Sequence, residues 1–263
     1  MKEYGIKLGS MLFTLVEPHA GHEVEYNRWY ERDHFYAGCM IGPFNLSGGR
    51  WVATRSCKDL RYPTSSPIVP DPLAGSFLSL YWIEKGHHDE WNHWAVDQVN
   101  WLHANGRMFP ERDHIHTLLY DFDWGIERNP DGVSPELALD HRYPGMVVVV
   151  GELNEGVERS SLDRWYQTEH LPARLAGSSV DQCLAFSPLP LLADAPGDVP
   201  RTEGAERRFM HLYFLDVDPA QVWTDQFAGH GDELEATGMA RLLWASPFLP
   251  TVVGTDRHTD ELR

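Results

Sequence analysis

Short apolar runs alternate with longer mixed segments along the chain, in an order that occurs twice. Short apolar runs near 10–17 and 145–152, the second β-branched, predict strands. Segments 22–38 and 158–175 predict helices after them, and strands follow at 48–55 and 181–187. Proline-rich loops, 62–75 and 187–204, lead to strands at 76–84 and 208–216, helices at 87–105 and 219–238, and strands at 112–121 and 244–253. Each half therefore reads β-α-β-β-α-β, the split βαβ motif.

The halves also share residues. Arg28-Trp29-Tyr30-Glu31-Arg32-Asp33-His34 returns 136 positions later as Arg164-Trp165-Tyr166-Gln167-Thr168-Glu169-His170, with four of seven positions identical. Beyond the second strands the offset is 132, which sets Leu80-Tyr81-Trp82 on Leu212-Tyr213-Phe214 and Gly106 on Gly238. The expected units are 1–124 and 145–263, joined by a linker, 125–144, with a turn signal at Asn129-Pro130-Asp131-Gly132. The fold class expected is α+β: two ferredoxin-like βαββαβ repeats forming a single-chain α/β barrel. A four-stranded sheet with helices on one face must bury its other face. The sheets are therefore expected face to face, with a pocket between them.

Strand and helix with R-W-Y-x-x-x-H near the helix end are similar to the dimeric α/β-barrel superfamily, EthD-like proteins in particular. The resemblance covers both halves. It is closer in the second, where Leu171-Pro172 follows His170; the first copy departs with Phe35-Tyr36. The W-x-x-x-x-H spacing is also weakly similar to bacterial chalcone isomerase. The superfamily includes cofactor-independent monooxygenases, polyketide cyclases, lactone isomerases and haem enzymes, so the resemblance implies a fold, and function must come from the site.

Candidate chemistry concentrates in the first half, which holds nine of 14 histidines and seven of 10 tryptophans. Tyr30 and His34, four apart, are expected on one helical face, with Tyr26 extending the stripe and Trp29 and Asp33 beside it. Histidine exchanges protons near neutral pH and tyrosine can donate to a developing oxyanion. The expected roles are His34 as general acid or base, Tyr30 as oxyanion donor and Asp33 as its tuning neighbour. His114 and His116 alternate on the fourth strand, so both are expected on one face, assisting His34 if that face meets the cavity. Trp29, Tyr26, Trp82, Arg107, His88, Tyr166 and His170 are the expected substrate-binding set. The same aromatic residues would recur equally well if they only packed helix onto sheet.

His87-His88-Asp89-Glu90-Trp91-Asn92-His93 lacks HExxH or zinc-finger spacing, so no metal is expected from it. GxGxxG, Walker and GxSxG patterns are absent, leaving NAD, ATP and serine-hydrolase chemistry without support. No cofactor is expected, with haem the minority alternative. The net charge is −17, from 39 acidic and 22 basic residues, which argues against nucleic acid and anionic membrane. Three scattered cysteines and no long apolar run suit the cytoplasm. The function expected is a cofactor-independent lyase or isomerase for a small apolar oxygenated molecule, aromatic, polyketide-like or steroid-like. Its alternatives are a cofactor-free monooxygenase or haem enzyme, and a non-catalytic ligand-binding protein. The partner expected is a small-molecule substrate; a homo-oligomer is left open.

Overall fold

The computed structural model describes residues 5–201 and 204–263. The first four residues of the first expected unit, and two residues of the loop 187–204, lie outside that range. In chain order the first half contains β1 (Leu8–Pro18), α1 (Glu23–Trp29) running into a π-helical segment Tyr30–Met40, and β2 (Asn45–Val52). A short α2 (Arg55–Asp59), β3 (Phe77–Glu84), α3 (His88–Ala104) and β4 (Arg112–Glu127) complete it. The second half contains β5 (Gly145–Leu153), α4 (Arg159–Trp165), a π turn Tyr166–His170, α5 (Leu171–Leu175) and β6 (Val180–Leu189). It ends with β7 (Arg208–Leu215), α6 (Trp223–Gln226), α7 (His230–Ala236) and β8 (Ala240–Pro250).

All strand pairs are antiparallel, and within each half the order is that of a ferredoxin-like sheet: β4-β1-β3-β2 and β8-β5-β7-β6. The two sheets turn their helix-free faces toward each other across a shared core. They join at both edges, through a long β4–β6 ladder and a short β2–β8 one, and close into an eight-stranded barrel. Closure removes the exposed strand edges that two separate sheets would present. The sequence pattern set β4 too short: it continues to Glu127, and its second half is what β6 pairs with.

Period two decides which side chains fill the barrel. Met11, Phe13 and Leu15 of β1, Leu78, Leu80 and Trp82 of β3, and Met146, Val148 and Val150 of β5 pack inside in one continuous buried cluster. Trp244 and Phe248 of β8 complete it from the opposite wall. The interior is a core, so the expected pocket between the sheets gives way to one on the outer face, between sheet and helices.

Two glycines explain where the helices stop. Gly106 follows α3 with φ +66° and Gly238 follows α7 with φ +69°, the left-handed geometry that ends a helix and that glycine adopts without a Cβ clash. These are the glycines matched at offset 132. The helix expected over 219–238 is broken instead: α6 ends at Gln226, and Ala228-Gly229-His230-Gly231 restarts the chain as α7. Glycine on both sides of His230 weakens helix continuation there.

Candidate active site

The repeated R-W-Y-x-x-x-H motif forms the π-helical turns. Tryptophan and histidine in it are five apart, the spacing at which a π turn closes its hydrogen bonds. The His34 ring accordingly lies on Trp29 with centroids 4.6 Å apart and planes 19° off parallel, and Trp165 and His170 repeat the 4.6 Å distance. Trp29 is itself held by its indole N–H, which donates to the Arg107 carbonyl at 3.0 Å, and by stacking on Phe109. Asp33 ion-pairs with the Arg107 guanidinium, away from the cavity. Asp33, Arg107 and Trp29 thus form a chain of contacts that sets the angle of the His34 ring.

His34 lines a cavity of about 790 Å³, open mouth included, between the outer face of the first sheet and its helices. Leu12, Thr14 and Val16 of β1 and Thr117 and Leu119 of β4 make its floor. Trp91, Asn92, Ala95, Val96 and Val99 of α3 make one wall, and Tyr30, His34 and Cys39 the other. The roof comes from the other half: Leu191, Ala195, Pro196, Asp198 and Val199 follow β6. Asp198 latches that roof, accepting from Arg112 Nη2 at 3.0 Å and lying 3.4 Å from His103 Nε2. Arg112 is the one cation and Asp198 the one anion among the lining residues, so the charges in the cavity cancel.

Burial pushes the His34 imidazole down to about 3, with Arg112 and His114 adding to the effect, so the ring is neutral at pH 7. Its Nδ1 is buried without a hydrogen-bond partner. Gly38 faces the ring so closely that a Cβ there would lie 2.8 Å from Cε1. Tyr30 lines the cavity too, but its hydroxyl shares a 2.9 Å hydrogen bond with that of Tyr81. Burial pushes that phenol up to about 12.

His114 and His116 do not share a face. A bulge between them sets Val16 against His114 and Leu15 against His116, leaving Ile115 as the extra residue. The extra residue reverses the alternation. His114 enters the cavity, while His116 turns into the barrel, where Phe13 packs on it and Tyr120 Oη hydrogen-bonds its Nε2 at 2.9 Å. His114 Nε2 faces Arg112 Nη2 at 3.4 Å and its Nδ1 lies 2.9 Å from Thr117 Oγ1. A guanidinium only donates, so Nε2 carries the lone pair and Nδ1–H donates to Thr117, which in turn meets Thr14 Oγ1 at 2.9 Å. Burial, then Arg112, pushes His114 down to about 4.

The remaining expected residues lie elsewhere. Tyr26 is buried among Trp29, Tyr30, Phe77 and Phe109. Trp82 sits in the barrel, its indole donating to the Pro135 carbonyl. His88 Nδ1 is 2.8 Å from Ser10 Oγ, outside the lining. Tyr166 and His170 occupy the matching place in the second half, where the equivalent space is packed by Leu171, Phe209, Trp223 and Phe227. His211 and His230 are buried there as well, and His211 stands edge-on to Tyr166 at 4.3 Å. Arg112, Asp198 and Asn92 complete the first-half site and carried no motif in the sequence. Arg112 does begin the strand that holds His114, a signal that alternation alone would have passed over.

No protein-family profile matches the chain, and no curated protein sequence matches it. Solved structures do match in fold. An anthrone oxidase-like protein superposes with a TM-score of 0.56 at 10% identity, covering 95% of each chain. A protein assigned as a chlorite dismutase gives 0.54 at 10% identity, covering 98% of this chain and 100% of its own. A protein assigned as a monooxygenase from Fusobacterium nucleatum gives 0.50 at 7% identity, covering 93% of each. At such identities the likeness defines the class by architecture: a ferredoxin-like α+β protein with an eight-stranded antiparallel sheet. Among the described residues no helix is long and apolar enough to cross a membrane.

Proposed function

We propose that this chain is a cofactor-independent lyase or isomerase that removes a carbon-bound proton from an apolar, oxygenated small molecule held in the first-half cavity. Aromatic, polyketide-like and steroid-like molecules are the substrate class. The observation that carries the reading is a neutral imidazole, His34, with an unpartnered Nδ1, lining an apolar chamber with a single paired cation. We further read the chain as EthD-like and tandem-duplicated, from the repeated motif and the matching element order of its halves, and as cytoplasmic, from three free buried cysteines.

An imidazole pushed down to about 3 is a weak base in the empty cavity. It gains basicity when negative charge develops beside it, because an ion pair formed out of water is strongly attractive. His34 would take the proton as the substrate oxygen becomes an enolate. Arg112 would face that oxygen, with His114 fixing its position through Nε2. Tyr30 becomes a wall, since its hydroxyl is engaged by Tyr81. Asp33 acts through Arg107 and Trp29 as a positioning residue. The test is proton exchange into a panel of such molecules in D₂O, followed by NMR. His34→Gln should abolish exchange while the fold survives; exchange at the wild-type rate would remove His34 from the role.

A cofactor-free monooxygenase is the second reading, favoured by the anthrone oxidase-like fold neighbour. The same carbanion would be trapped by dioxygen, with one oxygen atom entering the product and the other leaving as water. Oxygen uptake stoichiometric with substrate loss separates the two, and binding without exchange or uptake would leave a carrier. A haem enzyme of the same fold is the third reading, raised by the fold neighbour assigned as a chlorite dismutase.

A further inference from the structure

We propose that the second half holds a transition-metal site of its own, formed by His170, His230 and Glu233 and suited to Zn²⁺ or a similar borderline ion. One ligand atom from each residue lies within 4.8 Å of the other two. His170 Nδ1 and Glu233 Oε2 are 3.7 Å apart. With metal–nitrogen and metal–oxygen bonds of about 2.1 Å, tetrahedral ligand atoms stand roughly 3.4 Å apart. The cluster therefore needs only small rotations of χ angles to close on an ion.

The chain builds this cluster from two distant elements. His170 closes the second π turn, and His230 and Glu233 are three apart on α7, hence on one face. The glycines flanking His230 restart the helix there and bring its ring to 5.2 Å from His170, centroid to centroid. His230 Nδ1 is buried with no partner, and Nδ1 is the His170 nitrogen that faces Glu233. His230 is 1% exposed. A buried imidazole nitrogen left unpaired calls for an explanation.

The other nitrogen of His230 meets Tyr166 Oη at 3.2 Å, the outer hydrogen bond that commonly orients a metal-bound imidazole. Glu233 is half-exposed and provides the route in. The opposing feature is Arg174, whose Nη1 donates to Glu233 Oε2 at 2.7 Å. It steadies the carboxylate but also repels a cation, so affinity should be limited by this arginine. Two nitrogens and one oxygen favour zinc, cobalt or nickel over magnesium or calcium.

The test is titration of the chelator-treated full chain with Co²⁺ alone and Zn²⁺ alone. One Co²⁺ should bind with the strong visible bands of four-coordination and be displaced by Zn²⁺. Glu233→Gln, at a position open to solvent, should keep the fold and weaken Zn²⁺ at least tenfold. Arg174→Met should tighten it several-fold. A Co²⁺ spectrum that stays that of the aqueous ion, or equal Zn²⁺ affinity in wild type and Glu233→Gln, would overturn the assignment.

Discussion

The His34 imidazole rests on the Trp29 indole at 4.6 Å, while Gly38 leaves just enough room on its Cε1 side for the ring to stay there. The imidazole proposed to take the proton is placed by two neighbours of its own helix, so its position is sensitive to changes that touch no substrate.

Gly38→Ala should therefore act on chemistry more than on stability. The new Cβ would stand 2.8 Å from Cε1 and must displace the ring. Alanine is otherwise the better helix residue by up to about 1 kcal/mol. We expect a fall in kcat of at least tenfold with an unfolding midpoint unchanged or raised, measured by exchange kinetics and calorimetry.

His114 and His116 should separate in function because Ile115 puts them on opposite faces. His114→Ala should lower turnover and leave stability nearly intact. His116→Phe should leave turnover intact while stranding the Tyr120 hydroxyl, at a cost of about 1–3 kcal/mol. Denaturant titrations of both variants beside activity assays check this.

Acid should destabilise the protein earlier than carboxylate titration would. Burial holds His34 at about 3 and His114, His116 and His170 at about 4, all below the ordinary 6.5. Below pH 6.5 the unfolded chain binds these protons and the folded chain does not. Stability therefore falls as pH falls, by up to about 1.4 kcal/mol per pH unit for each ring. The unfolding midpoint should be flat above pH 7 and drop steeply between 6 and 4. His116→Phe should make that slope shallower by one proton.

Ala195→Trp should fill the cavity from its roof without disturbing the sheet. We expect KM to rise at least tenfold, with kcat at saturation much less affected and thermal stability unchanged. Asp198→Asn should raise KM more modestly, by loosening the latch on Arg112.

Haem titration should give no stoichiometric Soret band in wild type. A band that forms at one equivalent and disappears in His34→Ala would replace the acid–base reading with a haem one.

The order of strands and helices along the chain was legible because it depends on local periodicity, and Gly106 and Gly238 were in view as matched glycines. The barrel's edge joining was not, because β4–β6 pairing brings together residues as far apart as Phe122 and Phe186, 64 positions along the chain, with no local signature. Nor was the pocket's side of the sheet: the inward residues are large enough to fill the barrel, a matter of summed volume. Histidine spacing on β4 misled because one bulged residue inverts every side chain beyond it. His34 and His114 were legible by residue type. Arg112 and Asp198 were not, since an arginine and an aspartate 86 positions apart become a pair only through the roof. His230 was hidden in a segment read as one helix, although its flanking glycines were in plain view.

The roof has a consequence for how such a chain can diverge. Residues that roof the first half's chamber follow β6, in the other half of the chain. Drift in that connection would reshape the chamber without altering His34 or His114, and severing the halves would leave the His34 imidazole under an open sky.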